Sequence, residues 1–167
     1  GMAFGTGTHP TTSLCLQWLD QHNVSGQQLI DFGCGSGILG IAALLLGARI
    51  VYGIDNDPQA LTATGDNCHK NQIAVENFPV YLPETFTDMR QRCPARADVV
   101  LANILAGTLI QLADQLAALV APSGWILLSG ILCEQSQSVI DAFTPWFRDF
   151  EVAEDGDWVR ISAIKYE

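Results

Sequence analysis

The segment Asp31-Phe32-Gly33-Cys34-Gly35-Ser36-Gly37 constrains this chain more than any other. It follows a short apolar run, Leu29 and Ile30, and precedes an apolar stretch from Ile38 to Leu46. A glycine-rich turn between a strand and a helix brings bare backbone against a ligand, with the helix N-terminus aimed at it. The rest of the chain must supply a sheet and helices around that turn.

Strand and helix signals alternate along the chain. A helix is expected from about Thr11, just after Pro10, to His22, and a strand over Gln28–Phe32. A buried helix over Ile38–Leu46 ends at Gly47, and a second strand spans Arg49–Ile54. Asp57 reads as an N-cap with Pro58 at the first helical position, opening a helix to about Asn71. Phe78–Leu82 read as a third strand, and Pro83–Arg96 as a loop with at most one helical turn. Asp98–Ala102 form a fourth strand, Thr108–Val120 a helix, Pro122-Ser123-Gly124 a turn and Trp125–Ser129 a fifth strand. Glu134–Phe143 read as a helix. Two last strands, Phe147–Ala153 and Trp158–Lys165, are joined by a tight turn at Asp155-Gly156. This alternation predicts an α/β fold: a mostly parallel sheet with helices on both faces and an antiparallel closing hairpin.

The 167 residues suffice for one domain with a sizeable core, and 49% hydrophobic against 16% charged residues excludes a disordered chain. The longest apolar run is too short to cross a bilayer, and no leader peptide pattern is visible. The formal charge of −10 opposes binding to nucleic-acid phosphates and favours a basic partner. Five cysteines lie far apart and the three histidines lack metal-ligand spacing, so reduced thiols in a cytoplasmic protein are expected, with no metal site.

Gly35-Ser36-Gly37-Ile38-Leu39-Gly40 also fits the dinucleotide fingerprint. Asp55 ends the second strand 20 residues after Gly35, where an acidic ribose-binding residue belongs. That spacing fits NAD and S-adenosylmethionine (AdoMet) equally. Asp31 separates them. A pyrophosphate over this loop would meet a buried carboxylate of like charge. AdoMet has no phosphate, and its methionine end carries an amino group that a carboxylate can hold. The bland reading of Asp31 is a cap on local backbone. Thr11 and Thr12 bring hydroxyls and backbone N–H groups to a helix N-terminus, suited to a carboxylate, or simply cap it. Asn103, at the carboxyl end of a central strand, sits where open α/β sheets bind ligands, or merely forms a turn.

Asp31–Gly37, Gly53-Ile54-Asp55-Asn56-Asp57-Pro58 and Asn103-Ile104-Leu105-Ala106 resemble the class I AdoMet-dependent methyltransferases. The opening loop, Gly1-Met2-Ala3-Phe4-Gly5-Thr6-Gly7-Thr8-His9-Pro10-Thr11-Thr12, taken with Ala102–Ala106 and Ser129-Gly130-Ile131-Leu132, is similar to one branch, the ribosomal protein L-eleven methyltransferase (PrmA) family. The likeness covers essentially the whole chain and is to the catalytic domain; the family's N-terminal substrate-recognition domain has no counterpart within residues 1–167. The resemblance implies a Rossmann-like three-layer α/β/α fold whose seven-stranded sheet ends in a reversed strand. It implies that Gly33 and Gly35 line the cofactor loop, Asp55 holds the ribose, Thr12 meets the methionine end, and Asn103 lies between cofactor and incoming amine. It further implies methylation of lysine side chains and the N-terminal α-amine of a basic ribosomal protein, releasing S-adenosylhomocysteine, with no nucleic acid or membrane partner. The oligomeric state leaves no signal in the sequence. Many amino-group methyltransferases carry Pro-Pro-Tyr or Pro-Pro-Phe after the strand; here Ile104-Leu105-Ala106 stands instead, as in this branch.

The expected chemistry is in-line displacement by a neutral amine, with the Asn103 and Ile104 carbonyls accepting the amine hydrogens and aiming the lone pair. Positioning then supplies much of the acceleration. His9 is the one nearby candidate for a general base. A dehydrogenase using NAD(P) and a non-catalytic interaction module are the alternatives; Asp31 opposes the first, and the full Asp31, Asp55 and Asn103 set opposes the second.

Overall fold

The computed structural model describes residues 9–85, 87 and 96–167. Its strands are β1 (Gln28–Phe32), β2 (Ile50–Ile54), β3 (Val80–Tyr81), β4 (Ala97–Asn103), β5 (Val120–Leu132), β6 (Phe147–Asp155) and β7 (Trp158–Lys165). Its helices include α1 (Pro10–Gln21), α2 (Ile38–Leu45), α3 (Gln59–Lys70), α4 (Ala106–Gln111), α5 (Ala113–Leu119) and α6 (Ser136–Phe143). One seven-stranded sheet runs in the order β3-β2-β1-β4-β5-β7-β6. β7 is antiparallel to both neighbours, so the reversed strand lies one in from the edge and β6 closes the sheet. The chain winds outward in both directions from the β1–β4 pair. Ligands of open α/β sheets bind outside the carboxyl ends of strands at that switch point.

Alternate residues of the central strands feed two cores. Ile30, Val100, Ala102, Ile126 and Leu128 pack beneath Leu109, Leu116, Val139 and Phe143 of α4, α5 and α6. Leu29, Val51, Val99, Leu101 and Leu127 pack against Trp18 and Leu19 of α1 and Leu39 and Ile41 of α2. Both faces of β4 are therefore buried, which is why its sequence is almost continuously apolar. Each such large side chain contributes ~1.5–3 kcal/mol on burial. Asp31 is the exception: two residues beyond Leu29, it shares that strand's α1–α2 face and is only 2% exposed.

Several boundaries differ from the sequence reading. The third strand shrinks to two residues because Phe78 closes a 3-10 turn, its N–H bonded to the Val75 carbonyl at 3.0 Å. Its ring fills the space between α2 and β2, above Gly40 and Gly53. α1 starts at Pro10, with His9 as its N-cap. α3 starts at Gln59; Pro58 precedes it, and Asp57 caps it through its carboxylate, which accepts from the Gln59 N–H at 2.9 Å. The expected helix over 108–120 begins at Ala106 and breaks at Leu112, where ψ is 10°. Leu112 still donates to Thr108 and accepts from Leu116, so the geometry breaks but the hydrogen bonding continues. Pro122-Ser123-Gly124 forms an insertion within a longer β5, with Ser123 at φ 63°, rather than a turn ending an element. The helix expected from Glu134 opens as a 3-10 turn, Cys133–Gln135, before α6. Asn103 is the last residue of β4 rather than the first beyond it. The loop 1–8 and most of the 83–96 stretch lie outside the described residues.

Candidate active site

The glycine loop leaves β1 through a backbone turned tightly against β2: the N–H groups of Gly33 and Cys34 both donate to the Ile54 carbonyl, at 2.7 and 3.2 Å. Gly35 has φ 56°, a left-handed value that glycine adopts without steric cost, and a Cβ added there would meet nothing within 4 Å. That bare backbone faces a cavity of about 610 Å³.

Asp31, Gly33, Gly35, Asp55, Asn67 and Asn103 all line this cavity. Asp55 is held from both sides: one carboxylate oxygen accepts from the Gly35 N–H at 2.9 Å, the other from the Asp57 N–H at 2.9 Å. Each oxygen keeps a further acceptor direction. α3 pins the loop from below. The Thr64 hydroxyl donates to the Gly35 carbonyl at 3.2 Å, and the Asn67 amide to the Ser36 carbonyl at 2.8 Å. Sequence reasoning missed both residues, since nothing local in α3 marks a contact about 30 positions away.

Two acceptors in the cavity wall stand out. Asp31 Oδ2 and Asn103 Oδ1 are buried and receive no hydrogen bond. An orphaned buried acceptor costs ~1–3 kcal/mol, and more when charged. Burial pushes the Asp31 carboxyl up to about 7 from its ordinary 3.8; a hydrogen bond from the Gly40 backbone offsets part of this, and the Asp55 charge adds to the rise. A cationic group beside Asp31 would satisfy the free oxygen and restore the carboxylate. A phosphate there would worsen the repulsion. These residues therefore fit AdoMet, with its ammonium group, and do not fit a pyrophosphate.

The Asn103 end of β4 is braced by its neighbours. Asn103 is in register with Ser129 of β5, whose hydroxyl donates to the Thr11 carbonyl at 3.0 Å. This bond ties the first turn of α1 to the strand beside Asn103. Ile104 is wedged between two glycines: a Cβ on Gly33 would come within 2.6 Å of its side chain, and a Cβ on Gly130 would collide with its carbonyl. Sequence reading included Ser129 and Gly130 in a motif and assigned them no role; the contacts reach across strands and have no local signature.

Thr12 is fully buried on α1 and is not among the described residues lining the cavity. His9 Nδ1 accepts the Thr11 N–H at 3.2 Å and lies 2.9 Å from the Thr11 hydroxyl. The ring caps α1 and meets Trp158 edge-on at 5.2 Å, so that nitrogen is engaged in capping. Cys34, within the loop and lining the same cavity, is buried, which pushes its thiol well above the ordinary range.

The profile of the family described as ribosomal protein L11 methyltransferase (PrmA) matches residues 1–166. A ribosomal protein L11 methyltransferase of Cellvibrio japonicus is 57% identical over 166 residues, 99% of this chain and 54% of that protein. One from Pseudomonas aeruginosa is 56% identical over 162 residues, 97% of this chain and 53% of its own length. The chain thus spans about half the length of these curated relatives. A crystal structure of ribosomal protein L11 methylase from Lactobacillus delbrueckii subsp. bulgaricus superposes with a TM-score of 0.81 at 29% identity, over 96% of this chain and 81% of that one.

Proposed function

We propose that this chain, which belongs to the ribosomal protein L11 methyltransferase (PrmA) family, binds S-adenosylmethionine and carries the catalytic centre of a protein amino-group methyltransferase. Its substrate in this reading is ribosomal protein L11, methylated at lysine side chains and at the N-terminal α-amine. The observation that carries the reading is the pair of unpartnered buried oxygens, Asp31 Oδ2 and Asn103 Oδ1, in one cavity beside the glycine loop.

The cofactor supplies a methyl group on positively charged sulfur. Asp31 would hold its ammonium, Gly33 and Gly35 would offer it bare backbone, and Asp55 would accept from its ribose hydroxyls. Thr12, in the first turn of α1, belongs to the end that meets the methionine carboxylate, where helix N–H groups favour an anion. Asn103 Oδ1 and the Ile104 carbonyl accept hydrogens of the target amine and aim its lone pair. A lysine amine titrates near ~10.4 and an α-amine near ~8 in water, so the amine must lose its proton on entry. Burial at the cavity mouth lowers either value. Acceptors held on strand ends and braced by Ser129 and Gly130 cost little to organise, so positioning supplies much of the acceleration. A net charge of −10 favours encounter with a basic ribosomal protein.

The test is transfer from methyl-labelled AdoMet to purified ribosomal protein L11, followed by mass spectrometry of its peptides. Label on lysine side chains or the α-amine is the expected result. Label confined to hydroxyls or carboxylates of the protein, or no label at all, would contradict the assignment.

A further inference from the structure

A second groove, of about 390 Å³, opens beside Leu105 and Ala106, which directly follow Asn103 and Ile104 in the chain. Leu105, Ala106, Gly130, Leu132 and Trp158 form its apolar wall. Leu105 is 62% exposed, a high value for a leucine two residues from the reaction centre. Gly130 joins the groove to that centre, because it lines the groove and also abuts the Ile104 carbonyl.

Among the described residues, the groove lining itself carries no charged residue, but the β6–β7 turn next to Trp158 is acidic. Trp158 pairs with Leu132 on one side and Asp155 on the other, and Glu154 pairs with Val159. The β6–β7 turn folds back over the end of β5, where the Cys133 N–H donates to the Asp157 carbonyl at 2.8 Å. Glu134 follows directly, and Glu134, Glu154 and Asp157 are exposed and lie close enough to act on the Cys133 thiol. Glu154, Asp157 and Glu134 all push the Cys133 thiol upward, in addition to its desolvation. No Lys or Arg occurs in the 154–158 turn or among the groove-lining residues. Like charges gathered in one turn repel one another and favour a cationic partner.

We propose that this groove seats the lysine-bearing segment that delivers the target amine, its aliphatic stems on Leu105, Leu132 and Trp158 and its flanking cations on the Glu134, Glu154 and Asp157 rim. The proposal rests on the methyltransferase reading above and adds the route by which the protein substrate approaches. Lysine suits both halves of the groove, since its methylene stem covers apolar surface while its head reaches charge. Basic flanking residues then fix which amine lies at Asn103.

The experiment uses the whole chain saturated with S-adenosylhomocysteine, so that no turnover occurs. The probe is a fluorescent peptide alternating lysine and leucine; a glutamate–leucine peptide serves as the control. AdoMet affinity is measured separately on every variant. Leu105→Gln, and the double change Glu154→Lys with Asp157→Lys, are expected to weaken the lysine peptide at least about fivefold at low salt. AdoMet affinity should stay within about twofold, showing that the variants are folded. The control peptide should not bind the unaltered chain, and added salt should weaken the lysine peptide. Normal AdoMet binding with peptide affinity indifferent to all these changes would overturn the groove assignment alone, as would a groove that takes no lysine peptide. Failure of the unaltered chain to bind AdoMet would overturn the methyltransferase reading, and the groove assignment with it.

Discussion

Asp31 and Asn103 stand on adjacent strands and face the same cavity, and each holds a buried oxygen that no described group satisfies. Asp31 is in register with Leu101, and Asn103 follows two residues later on the same face. The sheet itself therefore fixes the spacing between the two orphaned oxygens, which in the proposed reading meet a cation and a second ligand. That relationship separates an AdoMet site from a dinucleotide site and orders the predictions below.

Asp31 makes both stability and binding depend on pH. Its carboxyl is raised to about 7 in the folded chain, mainly by burial. A raised carboxyl penalises the folded state once ionised. The ligand-free chain therefore loses this contribution as pH climbs from near 4 to 7, and the full penalty stands above that. Asp31→Asn removes the dependence and is expected to stabilise the ligand-free chain at pH 8 by roughly 1–3 kcal/mol. Urea melts of both proteins at about pH 5 and 8 check the sign. Binding of the ammonium favours the ionised form, so AdoMet affinity of the unaltered chain should rise up to about pH 7.

In the proposed reading, Asn103→Ala removes an acceptor for the incoming amine and leaves the glycine loop intact. Turnover on ribosomal protein L11 should fall roughly 10²-fold, the scale of a misplaced reactant. AdoMet affinity should change only a few-fold. An unchanged rate in steady-state assays would remove Asn103 from the mechanism.

Gly130→Ala tests the brace behind Ile104. Gly130 has φ 83°, and its added Cβ would strike the Ile104 carbonyl. The left-handed conformation costs ~1–2 kcal/mol in any other residue, and in the proposed reading the displaced carbonyl no longer aims the amine. kcat should fall at least about tenfold with AdoMet affinity nearly unchanged. A loss of AdoMet affinity equal to the loss of kcat would place the damage in the cofactor loop instead.

Gly40→Ala addresses packing alone. Its Cβ would run into the Phe78 ring and reach 3.0 Å from Val51 Cγ1. Overpacking of this kind costs ~1–3 kcal/mol, whereas replacing a helical glycine gains up to ~1 kcal/mol. The clash wins, and the urea midpoint should drop. A midpoint at or above that of the unaltered chain would show that Phe78 can swing aside.

The alternating pattern made most of the architecture legible, because strands buried on both faces write continuous apolar runs. Asp31 was legible for the complementary reason: a carboxylate within such a run has no apolar explanation. The short β3 was not, since Phe78 is as apolar as a strand residue, and only its packing over Gly40 and Gly53 removes it from the ladder. The insertion at Pro122–Gly124 resembles a turn because proline and a left-handed Ser123 interrupt the strand, yet β5 resumes its register at Trp125. Asp55 could be placed by its distance from Gly35. Ser129, Thr64 and Asn67 could not, because each acts on backbone far along the chain.

The most direct measurement is calorimetric titration of the chain with AdoMet and, separately, with NAD(H) and NADP(H). The account predicts that AdoMet alone binds, and that Asp31→Asn weakens it by roughly tenfold or more, as loss of a charge-assisted hydrogen bond requires. Binding of a nicotinamide dinucleotide without AdoMet, or AdoMet affinity indifferent to Asp31, would contradict it.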